Sequence, residues 1–229
     1  MRAWPSDPSV AHLIFTDHQH VPGRDEVADA IAHATRKGAR AVRTSAMFPD
    51  VADVVLACEF APIDRLALLS FDLGTGPTTP RSTTPVEART AFRLATLRPW
   101  HLSRCSRIDR EAFGLLWGNT ASSLRDIRTA TPWHRGRIAR QGDGIQGFAI
   151  SGAAADHGYL QRLAVAPDAR RHGIARSLVI DALEWMTRRD LRLALVNTGV
   201  TNDGALALYE SIGFGRLSDE LVIAERRLT

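Results

Sequence analysis

Residues 159–175, YLQRLAVAPDARRHGIA, constrain this chain more than any other stretch. An apolar run ends at Pro167, an arginine-rich turn follows, and Gly173 stands just ahead of a helical pattern. That order is strand, proline-broken turn, glycine loop, helix start. A glycine in such a loop lets the backbone approach a ligand with no Cβ in between. The first amides of a helix have no internal partner, and with the helix dipole they attract a pyrophosphate. The stretch reads as the cradle of a phosphate-bearing cofactor. Gly173 alone fits a plain helix entry turn as well, so the weight rests on the pattern around it.

The surrounding chain reads as α/β. After the glycine loop, Ile174, Leu178, Ile180, Ala182, Leu183 and Met186 give the strongest helix a broad apolar face. LRLALVNTG follows as a strand, NDGALALYESIG as a helix ended by Gly213, and DELVIAERRL as a last strand. Upstream, FRLATLRP reads as a strand, HLSRCSRIDREAF as a helix with Ile108 and Phe113 inward, then a loop with Trp117 and a short helix. Two antiparallel strands turn at Gly142-Asp143-Gly144. Residues 74–89 are rich in Gly, Pro, Ser and Thr and build no core, so they read as a linker. Three segments result: an α/β region over residues 1–73, the linker, and a main domain over residues 90–229.

Composition excludes several classes. The net charge is +4, Lys37 is the only lysine, and the arginines are scattered with no aromatic platform between them. Nucleic acid is not expected as a partner, while a mild positive balance suits an anionic cofactor. No apolar stretch is long enough to span a bilayer, and the start, MRAWPSDPSV, does not read as a signal peptide. Cys58 and Cys105 lack any CxxC or Cys/His spacing, so two reduced, semi-buried thiols and a cytoplasmic location are expected. His18 and His20 are two apart in a loop without a nearby cysteine and read as solvated, so no metal is expected.

LAVAPDARRHGIARSLV closely resembles motif A of the GNAT (GCN5-related) N-acetyltransferases. Leu163-Ala164-Val165-Ala166-Pro167 meets the family's strand end, and Arg170, Gly173 and Ala175 meet its Arg/Gln-x-x-Gly-x-Gly/Ala loop. Residues 202–209, NDGALALY, and Ile212-Gly213-Phe214 resemble motif B. The resemblance covers about residues 91–229 and implies a GNAT fold, a mixed central sheet with a splayed strand pair, and acetyl-CoA as acyl donor. It implies that the backbone amides of Arg171, His172, Gly173, Ile174 and Ala175 hold the pyrophosphate, with Arg170 beside them. The edge formed by Leu163, Ala164 and Val165 takes the pantetheine arm as an added strand, and the splay arises from a bulge. An amide near Leu163 polarises the thioester carbonyl. Asn202 bonds to the cofactor arm or caps its helix. Tyr209 protonates the departing thiolate or is a core aromatic.

The base is where this sequence departs from the family. Where other members carry a glutamate, this chain has Tyr159 on one strand and Asn197 on the next. Asp156 and His157 precede the cofactor strand, and His157 is either a base or an exposed turn residue. Tyr159 and Gln161 share a strand face and line the acceptor slot or orient water. Phe113 to Asn119 should meet the acceptor. Trp117 is either a pocket wall or core, and Glu111 a weaker attractor for a cationic amine. The expected reaction is direct transfer from acetyl-CoA to a primary amine, small-molecule or peptide N-terminal, in a ternary complex. The alternative is a non-catalytic acyl-CoA-binding regulatory module.

Residues 11–73 echo the C-terminal half at a spacing of 154 residues: Phe60 matches Phe214, and Thr44 matches Thr198. At that spacing Phe48 and Val55 replace Asn202 and Tyr209, and no Arg-x-x-Gly-x-Ala is present. Residues 1–73 are therefore expected to be a partial, degenerate GNAT-like segment that completes a sheet, covers the acceptor side or forms a homodimer contact.

Overall fold

Turn chemistry and apolar spacing set where the elements begin and end. In a computed structural model, which describes residues 1–15, 20–74 and 92–228, they are, in chain order, β1 (Arg2–Trp4), β2 (Asp7–Leu13), α1 (Arg24–Arg36), β3 (Ala41–Thr44), α2 (Pro49–Leu56), β4 (Ala61–Asp72), β5 (Arg93–Thr96), α3 (Leu102–Trp117), α4 (Ala121–Arg128), β6 (Trp133–Gln141), β7 (Gly144–Ala154), β8 (His157–Val165), α5 (Ile174–Thr187), β9 (Leu193–Gly199), α6 (Asp203–Ile212) and β10 (Gly215–Arg227). The chain forms two units. One comprises Met1–Leu68, Asn197–Ala205 and Arg216–Thr229, the other Leu69–Val196 and Leu206–Gly215. The expected main domain over residues 90–229 is thus shared between both. Apart from Gly74, the expected linker lies outside the described residues, as does His18.

In the first unit the strand order is β1-β2-β3-β10-β4. β2 and β3 run parallel, and β10 pairs antiparallel with β3. The short β1, paired antiparallel with β2, carries too few residues for a periodic signal. Val27 and Ala34 of α1 and Val51, Ala52 and Val55 of α2 form one core with Ala11, Val42, Phe60, Val222 and Ala224. Arg43, 6% exposed, is held by Glu225, with Nε donating to Oε2 at 2.9 Å. Glu59 (φ 64°), three residues past α2, and Gly213 (φ 112°), directly after α6, both have positive φ.

In the second unit the order is β9-β8-β7-β6-β5. β5 to β8 are antiparallel, and β8 and β9 are parallel. α5 packs on β6, β7 and β8, while α3 and α4 pack on β7 and β8. The two layers lie on opposite faces. A Cβ on Gly158 would meet Met186 of α5, whereas Gly152, which pairs with the adjacent Tyr159, faces Thr131 and Gln161. Phe148, Ile138, Ile150, Leu178 and Leu124 are fully buried, each contributing about 1.5–3 kcal/mol of transfer free energy. α3 runs further than its sequence pattern implies. It is kinked at Gly114 (φ 74°, ψ −177°) and ends on Trp117, which therefore closes a helix instead of lying in a loop. Cys105 is fully buried rather than semi-buried, and burial pushes its thiol up to about 12. Among the described residues no helix is long and apolar enough to cross a membrane.

Ala155 turns β7 into β8 with φ of 50°, a conformation in which its Cβ crowds the carbonyl oxygen. Ala155→Gly is expected to stabilise the protein by about 1 kcal/mol, read as a higher urea midpoint at unchanged slope.

Candidate active site

β8 pairs with β7 through Ile150↔Arg162 and Ser151↔Leu160, so Gln161 has no opposite residue. This is a β-bulge. It turns Gln161 and Arg162 to the α3 side, where Tyr159 also points. A Cβ on Gly152 would lie 2.8 Å from Gln161 Cδ, so only glycine at 152 leaves room for that amide. Gln161 Oε1 is buried with no partner.

A bulge bends its strand and strengthens the local twist. The pairing of β8 with β9 ends at Tyr159↔Leu195. Beyond it, Leu160 to Val165 present an open edge among the described residues. Ala166 N donates to Gln146 O at 2.8 Å. Alternation along an antiparallel pair then turns Ala164 inward and the N–H and C=O groups of Leu163 and Val165 outward to that edge.

The strand runs into a 3-10 turn, Pro167–Ala169, and an extended Arg170. Arg171 and Gly173 both have left-handed backbones, with φ of 66° and 78°. For Arg171 this costs on the order of 1 kcal/mol; Gly173 adopts it freely. Successive amides in such a run form a concave anion site. α5 starts with no side-chain cap, and its first internal bond is Ser177 N to Gly173 O at 3.0 Å. The amides of Ile174 and Ala175 precede that bond, and Arg170, Arg171 and His172 are exposed beside them. Open edge, concave amides and exposed cations fit the pantetheine arm and phosphates of acetyl-CoA.

Tyr209 is 4% exposed, with its ring 5.5 Å from that of Phe214. Burial pushes its phenol well above the usual range, so it stays protonated. Its hydroxyl has no hydrogen-bond partner among the described residues. Asn202 caps α6: its Oδ1 accepts from Ala205 N at 3.3 Å, and its Nδ2 donates to Thr198 Oγ1 at 3.0 Å.

On the α3 side, sequence reasoning missed a buried cluster. Asp109 has no exposed surface. Its Oδ1 accepts from Arg162 Nε at 2.6 Å, and its Oδ2 accepts from Arg162 Nη2 at 2.8 Å and Asn119 N at 2.7 Å. Arg162 Nη2 also donates to Trp117 O at 2.8 Å, and the guanidinium carbon lies 3.6 Å from the Phe113 ring centre. Ser106 Oγ donates to Asn119 O at 2.7 Å. Phe113 and Trp117 are half-buried, and Glu111 is exposed. Asp109 and Arg162 are 53 residues apart, and the sequence carries no sign that they meet.

His157 is the first residue of β8, not part of the turn before it. Its Nδ1 lies 2.8 Å from Asp156 Oδ1. Six residues of strand put it roughly 17–20 Å from Leu163, too far to act on a group held there. Among the described residues no cluster of His, Cys, Asp and Glu could hold a metal. In the first unit, a cavity of about 190 Å³ lies between the end of β2 and α1, lined by Leu13, Phe15, His20, Glu26 and Val27 among others. There the Gly23 amide donates to Glu26 Oε2 at 2.8 Å, so the chain's own carboxylate takes the helix N-terminus.

Residues 102–214 match the acetyltransferase (GNAT) family, and this part of the chain is a GNAT acetyltransferase domain. The chain is 34% identical over 67 residues to the ribosomal protein bS18-alanine N-acetyltransferase of Escherichia coli K12, covering 29% of this chain and 45% of that one. It is 43% identical over 60 residues to N-alpha-acetyltransferase 30 of Saccharomyces cerevisiae, covering 26% and 34%. It thus spans less than half the length of either relative. A tandem GNAT protein from the clavulanic acid biosynthesis pathway shares its fold, with a TM-score of 0.67, 15% identity and coverage of 89% of this chain and 69% of that one.

Removing the Asp109 carboxylate strands a buried guanidinium. Asp109→Ala is expected to cost about 3–5 kcal/mol, measured as the loss in unfolding free energy by urea titration.

Proposed function

We propose that the second unit transfers an acetyl group from acetyl-CoA to a primary amine, with a peptide α-amino group as the favoured acceptor and a small-molecule amine as the other form. The observation that carries this reading is the end of β8–β9 pairing at Tyr159, which leaves the outward backbone groups of Leu163 and Val165 beside an uncapped helix. The two relatives named for N-terminal and ribosomal-protein alanine acetylation favour the peptide acceptor.

Acetyl-CoA, when bound, supplies an activated acyl thioester. Leu163 and Val165 hold its amide arm as an added strand would be held. The amides of Arg171, His172, Gly173, Ile174 and Ala175, with the Arg170 side chain, hold its phosphates. The Leu163 N–H stands as donor to the oxygen on which negative charge develops. Tyr209, kept protonated by burial, gives its proton to the departing sulfur.

No carboxylate stands at the base position. Gln161 Oε1, buried and unpartnered, and the Tyr159 hydroxyl are the acceptors available on the α3 side of β8. They orient the amine and the water that carries its proton away. Most of the rate enhancement then comes from holding two reactants in line.

The test is thiol release from acetyl-CoA with a panel of amines and short peptides. Turnover with peptides bearing a free α-amino group is expected. Tight acetyl-CoA binding without turnover on any amine would instead make this a non-catalytic binding module. Tyr209→Phe should lower kcat by about 100-fold or more with little change in acetyl-CoA affinity, and equal losses in both would assign Tyr209 to packing. Wild-type kcat/KM should rise with pH as the acceptor amine deprotonates, and show no falling limb up to about pH 10, because the phenol titrates above its ordinary value of about 10.

A further inference from the structure

We propose that Arg162 and Asp109 are positioning residues that set the width and selectivity of the acceptor side of the slot. The proposal rests on the acetyl-transfer reading above. Arg162 bonds both oxygens of Asp109 on α3 and the Trp117 carbonyl where that helix ends, with Phe113 beneath its plane. Asp109 in turn fixes Asn119, whose carbonyl holds Ser106. One guanidinium therefore ties the whole acceptor wall to the strand carrying the donor edge.

The attachment point matters. Arg162 directly follows the bulge residue, and in a regular strand the alternation would send it to the α5 face. The bulge that opens the cofactor edge also delivers the fork to the acceptor side. Between Phe113 and Trp117 the chain carries Leu115, 82% exposed, and Leu116, 46% exposed, past the kink at Gly114. That exposed apolar turn belongs to the segment the guanidinium anchors at the Trp117 carbonyl, and Tyr159 and Gln161 give β8 a polar face on the same α3 side. An acceptor with an apolar side chain next to its amine fits that combination.

Lysine keeps the charge but cannot bond three oxygens in the planar spacing of the fork. Arg162→Lys should raise the KM for short peptides by about 10-fold, with kcat and acetyl-CoA affinity each within about two-fold. The preference for an apolar first residue should flatten. The amides of Gly118 and Asn119 should exchange hydrogen faster by more than any loss of global stability, measured in the same variant by urea titration, accounts for. Unchanged peptide KM and ranking would overturn the proposal, as would equal loss of kcat, KM and cofactor affinity. Unchanged exchange at 118 and 119 would overturn it independently of any activity. Failure of the wild-type protein to bind acetyl-CoA by calorimetry would instead overturn the acetyl-transfer reading, and the exchange measurement would still decide the clamp.

Discussion

One inserted residue, Gln161, governs the geometry of the second unit. Because it has no opposite number on β7, the strand bends and β9 cannot follow it beyond Tyr159. An unpaired strand edge is normally a liability, since it offers a template to any passing strand. Here it is short and flanked by an arginine-rich loop, and charged side chains beside an edge discourage pairing with another strand. The same insertion places two neighbouring side chains, Gln161 and Arg162, on one face. A free strand edge and a pair of polar side chains on the α3 face therefore come from a single local defect.

That arrangement needs a rigid second support, and Asp109 supplies it. A fully buried carboxylate is expensive unless its oxygens are satisfied. Arg162 and Asn119 supply four hydrogen bonds to them. Replacing such a pair with apolar side chains often costs little stability, so its worth lies in direction instead of net energy. The carboxylate dictates where Trp117 and Asn119 stand, which apolar packing around a kink at Gly114 would leave loose. Asp181 on α5 is a looser case on the other face, shared by Arg135 and Arg137 at 3.1 and 3.2 Å.

Local signals carried much of this into the sequence. The β6–β7 turn at Gly142 and Asp143, the α6 cap at Asn202, the helix end at Gly213 and the glycine loop are each set within a few residues, so spacing and residue type reveal them. Strand pairing and ion pairs act across long separations and leave no such trace. The pairing of β10 with β3, through Glu225↔Arg43, spans 182 residues, and it redraws the boundary that composition put at residues 74–89. Arg162 in isolation looks like one more scattered arginine, and Asp109 like a solvated helix residue. His157 shows the converse error. Its residue type suited a base, but position along a strand is a length, and that length excludes it.

Two glycine-led helices of this chain differ in how open their N-termini are. α1 and α5 both begin after a glycine and both follow a strand. At α1, Gly23 has an ordinary φ of −74°, and Glu26 reaches back to its amide while His20 contacts the same carboxylate at 3.0 Å. The positive end of that dipole is already neutralised, so a phosphate would have to displace a covalently tethered anion at high effective concentration. At α5, Gly173 is left-handed, no side chain caps it, and position 176 carries arginine where the third helical residue of α1 carries glutamate. Arg176 instead reaches away to Ser211 Oγ at 3.0 Å. The third helical residue, acidic at α1 and basic at α5, thus joins the glycine conformation in setting one helix start closed on its own carboxylate and the other without a side-chain cap.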